Sequence, residues 1–325
     1  MKKVLFALFS IFCFIACGSS ASKTPKVSAE NVKVPQFSSD SAYNYVKAQV
    51  DFGARVPNTE AHKICAEYLS ATLTQFGAQV IEQRAVLTAF DGSKLNAVNI
   101  IGSYNVDKKS RVLLCAHWDS RPWSDHDADE SNYNKAVLGA NDGASGVGVL
   151  LEIARLLGEQ APEIGIDIVF FDAEDYGAPQ HVRTSMQDSW CLGSQYWARN
   201  PHVKNYRAKY GILLDMVGAP GATFYREQIS EYFAKNIVDN VWSKAQELGF
   251  SNYFINQKGS SITDDHLYVN QIIGIPCIDI IQSDLNSETG FGHYWHTVND
   301  TMENIDKNTL FAVGTTLLHI IYNEK

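Results

Sequence analysis

Positive charge is scarce in this chain: 27 lysines and arginines stand against 36 aspartates and glutamates, for a net charge of -9. No Lys/Arg run offers a compensating basic patch, which excludes nucleic acid as a partner. Paired cysteines are missing too. There is no C-x-x-C, and of six cysteines Cys13 and Cys17 fall in the amino-terminal apolar run. The spacing of Cys65, Cys115, Cys191 and Cys277 identifies no disulfide. Cys115 and Cys277 sit in apolar, strand-like runs, where a cysteine is usually a small core residue. Internal repeats and low-complexity tracts are also absent. The apolar run Val4–Ala16 is too short to span a bilayer comfortably. What remains, 325 residues with 45% hydrophobic content, is ample for a buried core.

The amino terminus reads as a targeting segment. Lys2 and Lys3 precede Val4–Ala16, which has the length of a signal-peptide core. It ends Phe14-Ile15-Ala16-Cys17 before Gly18-Ser19-Ser20, which resembles a bacterial lipobox with Cys17 as the lipidated residue. Phe14 replaces the usual Leu, and a plain secretory signal is the alternative. The expectation is export to the periplasm or outer surface as a membrane-anchored bacterial lipoprotein. Residues 1–17 would form the signal, 18–39 a polar tether containing Pro25 and Pro35, and 40–325 the catalytic domain.

The rest of the chain is organised around Ile166–Gly177, IDIVFFDAEDYG. An apolar, β-branched run ends abruptly in Asp172, Glu174 and Asp175. Such a run reads as a buried strand of an α/β sheet, whose carboxyl end is where these sheets place their chemistry. Helical spacing is expected over Ser41–Asp51, Thr59–Phe76, Gly146–Leu157, Ile229–Leu248 and Asn308–Tyr322. Strands are expected at Gln79–Ala89, Asn96–Ser103, Arg111–Ala116, Ile166–Phe171, Tyr210–Leu214 and Ile275–Ile281. The alternation predicts one α/β domain with a central mixed, largely parallel sheet flanked by helices. The long polar loops Asp119–Leu138 and Ala178–Trp190 are expected to frame a site.

Five segments end in metal-type ligands. VLLCAHWDS supplies His117 and Asp119, LGANDGASG supplies Asp142, and FFDAED supplies Glu174 and Asp175. LLDMVG supplies Asp215, and GHYWHTVND supplies His296 with His293 nearby. Zinc favours imidazole nitrogen and carboxylate oxygen in a four-coordinate site, and a catalytic site leaves one position for substrate or water.

Together, His117-x-Asp119, Asn141-Asp142-Gly143, Glu174-Asp175, Leu214-Asp215 and Trp295-His296-Thr297 resemble the zinc aminopeptidase family and its glutaminyl cyclase relatives. The likeness runs from about Tyr43 to the carboxyl end. In two-metal aminopeptidases the positions matching His117, Asp142 and Asp215 hold one zinc. Those matching Asp142, Asp175 and His296 hold the other, and Glu174 matches the general base. Three further details resemble the cyclases: Trp295-His296-Thr297, Ile262-Thr263-Asp264-Asp265-His266, and Gln187-Asp188-Ser189 before Gly193-Ser194. The insertion Ala178–Trp190 has no counterpart in typical aminopeptidases. Asp175 and Asp279 depart from the animal cyclases, which carry Glu and His there.

The cyclase resemblance implies one zinc on Asp142, Asp175 and His296, with His117 vestigial or a second-metal ligand. It implies Glu174 as proton carrier, with Asp215 and Asp264 holding the substrate's amine and amide. Cyclisation of an amino-terminal glutamine needs no water, so an apolar wall is useful, and Trp118, Trp190 and Trp295 lie beside the site motifs. The implied function is glutaminyl-peptide cyclotransferase, an acyltransfer acting on peptides and proteins with amino-terminal glutamine. The alternatives are a two-zinc aminopeptidase and a non-catalytic surface lipoprotein.

Overall fold

The computed structural model describes Met1 and residues 33–325 apart from Gln187. The expected signal, its lipidation site Cys17 and nearly all of the tether lie outside the described residues. The first helix, α1 (Ser39–Asp51), is capped by the Ser38 hydroxyl, which accepts from the Ser41 N–H at 3.2 Å. Helix α2 (Glu60–Gln75) is capped in the same way by Thr59. It ends where Gly77 takes φ +83, a left-handed value that only glycine adopts cheaply.

Strands β1 (Gln79–Thr88) and β2 (Lys94–Tyr104) form an antiparallel hairpin. Next come β3 (Arg111–His117), α3 (Ala144–Glu159), β4 (Gly165–Phe171), α4 (Leu192–Arg199) and β5 (Gly211–Asp215). The chain closes with β6 (Phe224–Arg226), α5 (Gln228–Glu247), β7 (Phe254–Lys258), α6 (Asp265–Tyr268), β8 (Cys277–Ile281) and α7 (Lys307–Asn323). The main sheet has the order β1-β2-β4-β3-β5-β8, with β4, β3, β5 and β8 mutually parallel and β2 antiparallel to β4. The mixed, largely parallel sheet expected from the sequence is present. Strands β6 and β7 pair separately.

Alternation along β3 shows why these runs are apolar throughout. Val112, Leu114 and Ala116 join the larger core with α1, α3, α5 and α7. Leu113 and Cys115 join a second core with Val169, Leu213 and Trp197 of α4. All four cysteines outside the amino-terminal run are buried and unpaired.

One boundary is corrected. The packed chain begins before residue 40: Phe37 is only 3% exposed and lies in the larger core. Its ring occupies the space beside Gly314, where a Cβ would meet it at 2.2 Å. A single aromatic in a polar segment leaves no periodic pattern to mark it as packed.

Candidate metal centre and active site

Parallel alignment of β4, β3 and β5 sets their carboxyl ends side by side, and the candidate residues follow from those ends. His117 closes β3, Asp172 to Asp175 follow β4, and Asp215 closes β5. Asp142 enters from the turn before α3, where a Cβ on Gly143 would meet His117 Nε2 at 2.4 Å. Glycine therefore permits the close approach of this turn to the imidazole. Asp300 shapes the turn by accepting from the backbone N–H of Asn141 (2.8 Å) and Asp142 (3.0 Å). Asp119 does the same for the acid pair, accepting from the N–H of Glu174 (3.0 Å) and Asp175 (3.2 Å).

Two overlapping donor sets result. Asp142, Asp175 and His296 offer one ligand atom each within 4.8 Å of one another, as do His117, Asp142 and Asp215. In the first set His296 Nε2 stands 3.5 Å from Asp142 Oδ2 and 3.3 Å from Asp175 Oδ1. Two tetrahedral ligands about 2.0–2.1 Å from one zinc are separated by about 3.3 Å, so this spacing fits a shared cation. Asp175 Oδ2, although buried, has no hydrogen-bond partner. Two carboxylates and an imidazole with an orphaned oxygen are a donor set that fits zinc. In the second set His117 Nε2 is closer, 2.9 Å from Asp142 Oδ1 and 3.2 Å from Asp215 Oδ1.

Electrostatics separate the two imidazoles. Burial, then the positive charges of Arg121 and His126, holds His296 well below the usual histidine value, so it is a neutral donor. Burial also pulls His117 down, but its hydrogen bonds with Asp119, Asp142 and Asp215 outweigh that and keep it protonated. The carboxylates crowd one another. Burial and the proximity of Asp142 raise Asp215 to about 7 and push Asp175 well above the carboxylate range. Glu174 is likewise raised well above it by burial. A divalent cation favours the ionised forms of its own ligands and removes this conflict.

A cavity of about 330 Å³ opens at Asp142 and His296 of the first donor set and at Asp215 of the second. Asp142, Glu174, Asp215 and Asp264 line it together with Trp190 and Trp295. The His296 ring stacks with both indoles, its centroid 3.7 Å from that of Trp295 and 5.9 Å from that of Trp190. One expectation fails here. Trp118 does not line the cavity: it is fully buried, stacked on His62 at 4.4 Å, and donates from Nε1 to the Val98 carbonyl. Alternation at the end of β3 sends His117 toward the acids and Trp118 away from them. His293 is exposed and also stands outside this cavity. Asp279 is fully buried, and burial with the nearby Asp264 and Asp215 raises its pKa well above the carboxylate range.

Several residues of the site escaped the sequence reading. The Cys191 thiol lies 3.1 Å from Glu174 Oε1, a contact across 17 residues with no pattern to announce it. Arg121 and Asp125, from the long loop after β3, form a buried ion pair beside the metal ligands; their i, i+4 spacing was visible, their burial was not. Arg55 braces both ends of that loop by donating to the carbonyls of Trp118, Leu138 and Gly139.

Glu227 fixes the segment carrying Asp264. Its carboxylate accepts from the N–H of Ile229, Ser230 and Ile262 and lies 3.2 Å from His266 Nε2. Burial alone would raise Glu227, but His266 and the N–H donors outweigh it and bring the pKa from 4.5 down to about 2. A carboxylate whose pKa drops on folding stabilises the fold above its unfolded value, and that contribution disappears as pH falls through the folded one. Glu227 therefore contributes on the order of 3 kcal/mol at neutral pH. Glu227→Gln should melt below wild type at pH 7, with the gap closing between about pH 4.5 and 2. A gap independent of pH in thermal melts would contradict this.

Acids and imidazoles gathered at the carboxyl edge of a parallel sheet, over a wedge of aromatic rings, define a zinc-exopeptidase-like α/β enzyme. Residues 99–321 match the model of Peptidase family M28, and the chain belongs to that family. The structure is similar to a Zn-dependent exopeptidase from Parabacteroides distasonis, with 60% identity and a TM-score of 0.89 over 90% of this chain and 100% of the other. It is equally similar to the glutaminyl cyclase of Tannerella forsythia, with 60% identity and a TM-score of 0.88 over the same shares of the two chains. The glutaminyl-peptide cyclotransferase of Bos taurus is 28% identical over 240 residues, 65% of this chain and 62% of that protein. The chain thus spans less than two thirds of that relative's length. The resemblance carried by the sequence motifs is borne out, with glutaminyl cyclases and a zinc exopeptidase both among these relatives.

Proposed function

We propose that the protein is a glutaminyl-peptide cyclotransferase, converting the amino-terminal glutamine of peptides and proteins to pyroglutamate with release of ammonia. The observation that carries this reading is the cavity walled by Trp190 and Trp295, onto which Asp142, His296 and Glu174 open, with Asp175 converging on the same two ligands. His117 is already engaged by Asp142 and Asp215 at hydrogen-bond distance, which supports one zinc per chain rather than two.

Asp142, Asp175 and His296 would hold that zinc. When bound, it supplies Lewis-acid polarisation of the substrate's side-chain amide carbonyl. The α-amine nitrogen attacks the amide carbon, the C–N bond to the amide nitrogen breaks, and ammonia leaves. Glu174 accepts the proton from the attacking amine and delivers it to the departing nitrogen, and the burial that raises its pKa above the ordinary carboxylate range makes the carboxylate a stronger base. Asp215 and Asp264 share the cavity and offer acceptors to the amine and amide. Trp190 and Trp295 limit water, the competing nucleophile. Export, with Cys17 as a lipid anchor to a bacterial membrane, belongs to the same reading and is supported by the amino-terminal sequence.

The second reading, a two-zinc aminopeptidase, has one observation in its favour: His117, Asp142 and Asp215 also converge. Ammonia release from a Gln-initiated dipeptide separates the two. The cyclase releases ammonia from that peptide and no free leucine from a Leu-initiated one. The reverse pattern would establish the aminopeptidase.

A further inference from the structure

The long loop after β3 sends a buried guanidinium to the back of the metal centre. Arg121 is 1% exposed, and Nε and Nη2 bind Asp125 at 2.6 and 2.8 Å. Its remaining nitrogen, Nη1, donates to Asp175, reaching the carbonyl at 3.1 Å and Oδ1 at 3.2 Å. The same guanidinium lies 4.6 Å from the ring centroid of Trp190. One side chain therefore touches a candidate ligand and the wall of the cavity at once.

Its partner addresses a second ligand. Asp125 Oδ1 stands 3.7 Å from His296 Nδ1. A cation held at Nε2 together with Asp142 and Asp175 would leave the ring proton on Nδ1, the buried nitrogen that faces Asp125 and has no hydrogen-bond partner of its own. Imidazole ligands are commonly oriented by a carboxylate behind the ring. The loop is also tied to the ligand's own backbone, because the His126 N–H donates to the His296 carbonyl at 3.2 Å.

We propose that Arg121 and Asp125 form a positioning pair that presets two of the three metal ligands, Asp175 and His296, and the Trp190 wall beside them. The planar fork is essential to this role. Three nitrogens engage two different carboxylates while the face stays free for the indole, an arrangement that a lysine ammonium cannot reproduce. Asp125 in turn balances the guanidinium, so that the pair adds no net charge to the site.

The proposal rests on the assignment of Asp175 and His296 as ligands, not on which reaction the site performs. The test is zinc affinity by chelator competition, measured on full-length wild type, Arg121→Lys, Asp125→Asn and an Asp175→Ala control. Thermal melts and tryptophan emission of the zinc-free forms are recorded alongside. Arg121→Lys and Asp125→Asn should each weaken zinc binding by about 10- to 100-fold while remaining folded. Arg121→Lys should also shift tryptophan emission in the zinc-free protein. A purely structural pair would lower the melting temperature of the zinc-free protein and leave the zinc affinity of the folded protein at wild type; that result overturns the proposal. If either variant fails to fold, the other decides by the same criterion. Wild-type affinity in Asp175→Ala would overturn the ligand assignment and the proposal with it.

Discussion

Glu174→Gln should retain zinc at wild-type stoichiometry and lose about 10²- to 10⁴-fold in kcat. The change is nearly isosteric and removes only the capacity to take up a proton. Glu174 belongs to neither donor set that converges on Asp142, and its backbone N–H stays bound to Asp119. The ligands therefore keep their places while the proton has no carrier. Because cyclisation requires one proton to leave the attacking amine and another to reach the departing nitrogen, both halves of the reaction suffer. Metal analysis and steady-state kinetics on the same preparation check the result. Substantial turnover with zinc bound would remove Glu174 from the role of base.

His296→Ala should lose both zinc and activity. Among the residues lining the cavity His296 is the one imidazole, and both Trp190 and Trp295 stack with its ring. Changes to groups behind a metal ligand already cost about 10- to 100-fold in affinity, and removal of a ligand should exceed that. Wild type should carry one zinc per chain, His296→Ala none, and His117→Ala one. Two zincs in wild type, falling to one in His117→Ala, would replace the one-metal reading with the two-metal aminopeptidase. Elemental analysis of the purified chains decides between them.

Much of this site was legible before the fold was known, for a physical reason. A parallel sheet buried on both faces must be built from continuous apolar runs, and polar side chains then concentrate where those runs stop. His117, Glu174, Asp175 and Asp215 all stand at such stops, and Asp142 stands in the glycine turn that passes against the His117 ring. Those five candidate positions were therefore readable as residue types at strand ends and in a glycine turn, whereas His296 lies in the long loop after β8. The convergence of two donor sets on Asp142 was not readable, because it depends on side-chain separations that only the packed fold defines.

Other features exist only in three dimensions. Trp118 sits next to a ligand in sequence yet turns away to stack on His62, while Trp190, distant in sequence, stacks on His296. Arg121 and Asp125 read as ordinary polar loop residues until packing buries them against Asp175 and His296. Phe37 joins the core through a gap left by Gly314. The sequence by itself determined the sheet, the order of its elements and the inventory of acids and imidazoles, since hydrophobic periodicity and chain breaks are local properties. Tertiary structure alone decided which imidazole faces the open cavity, which indoles wall it and which ion pair braces it, since those depend on side-chain directions set by neighbours far along the chain.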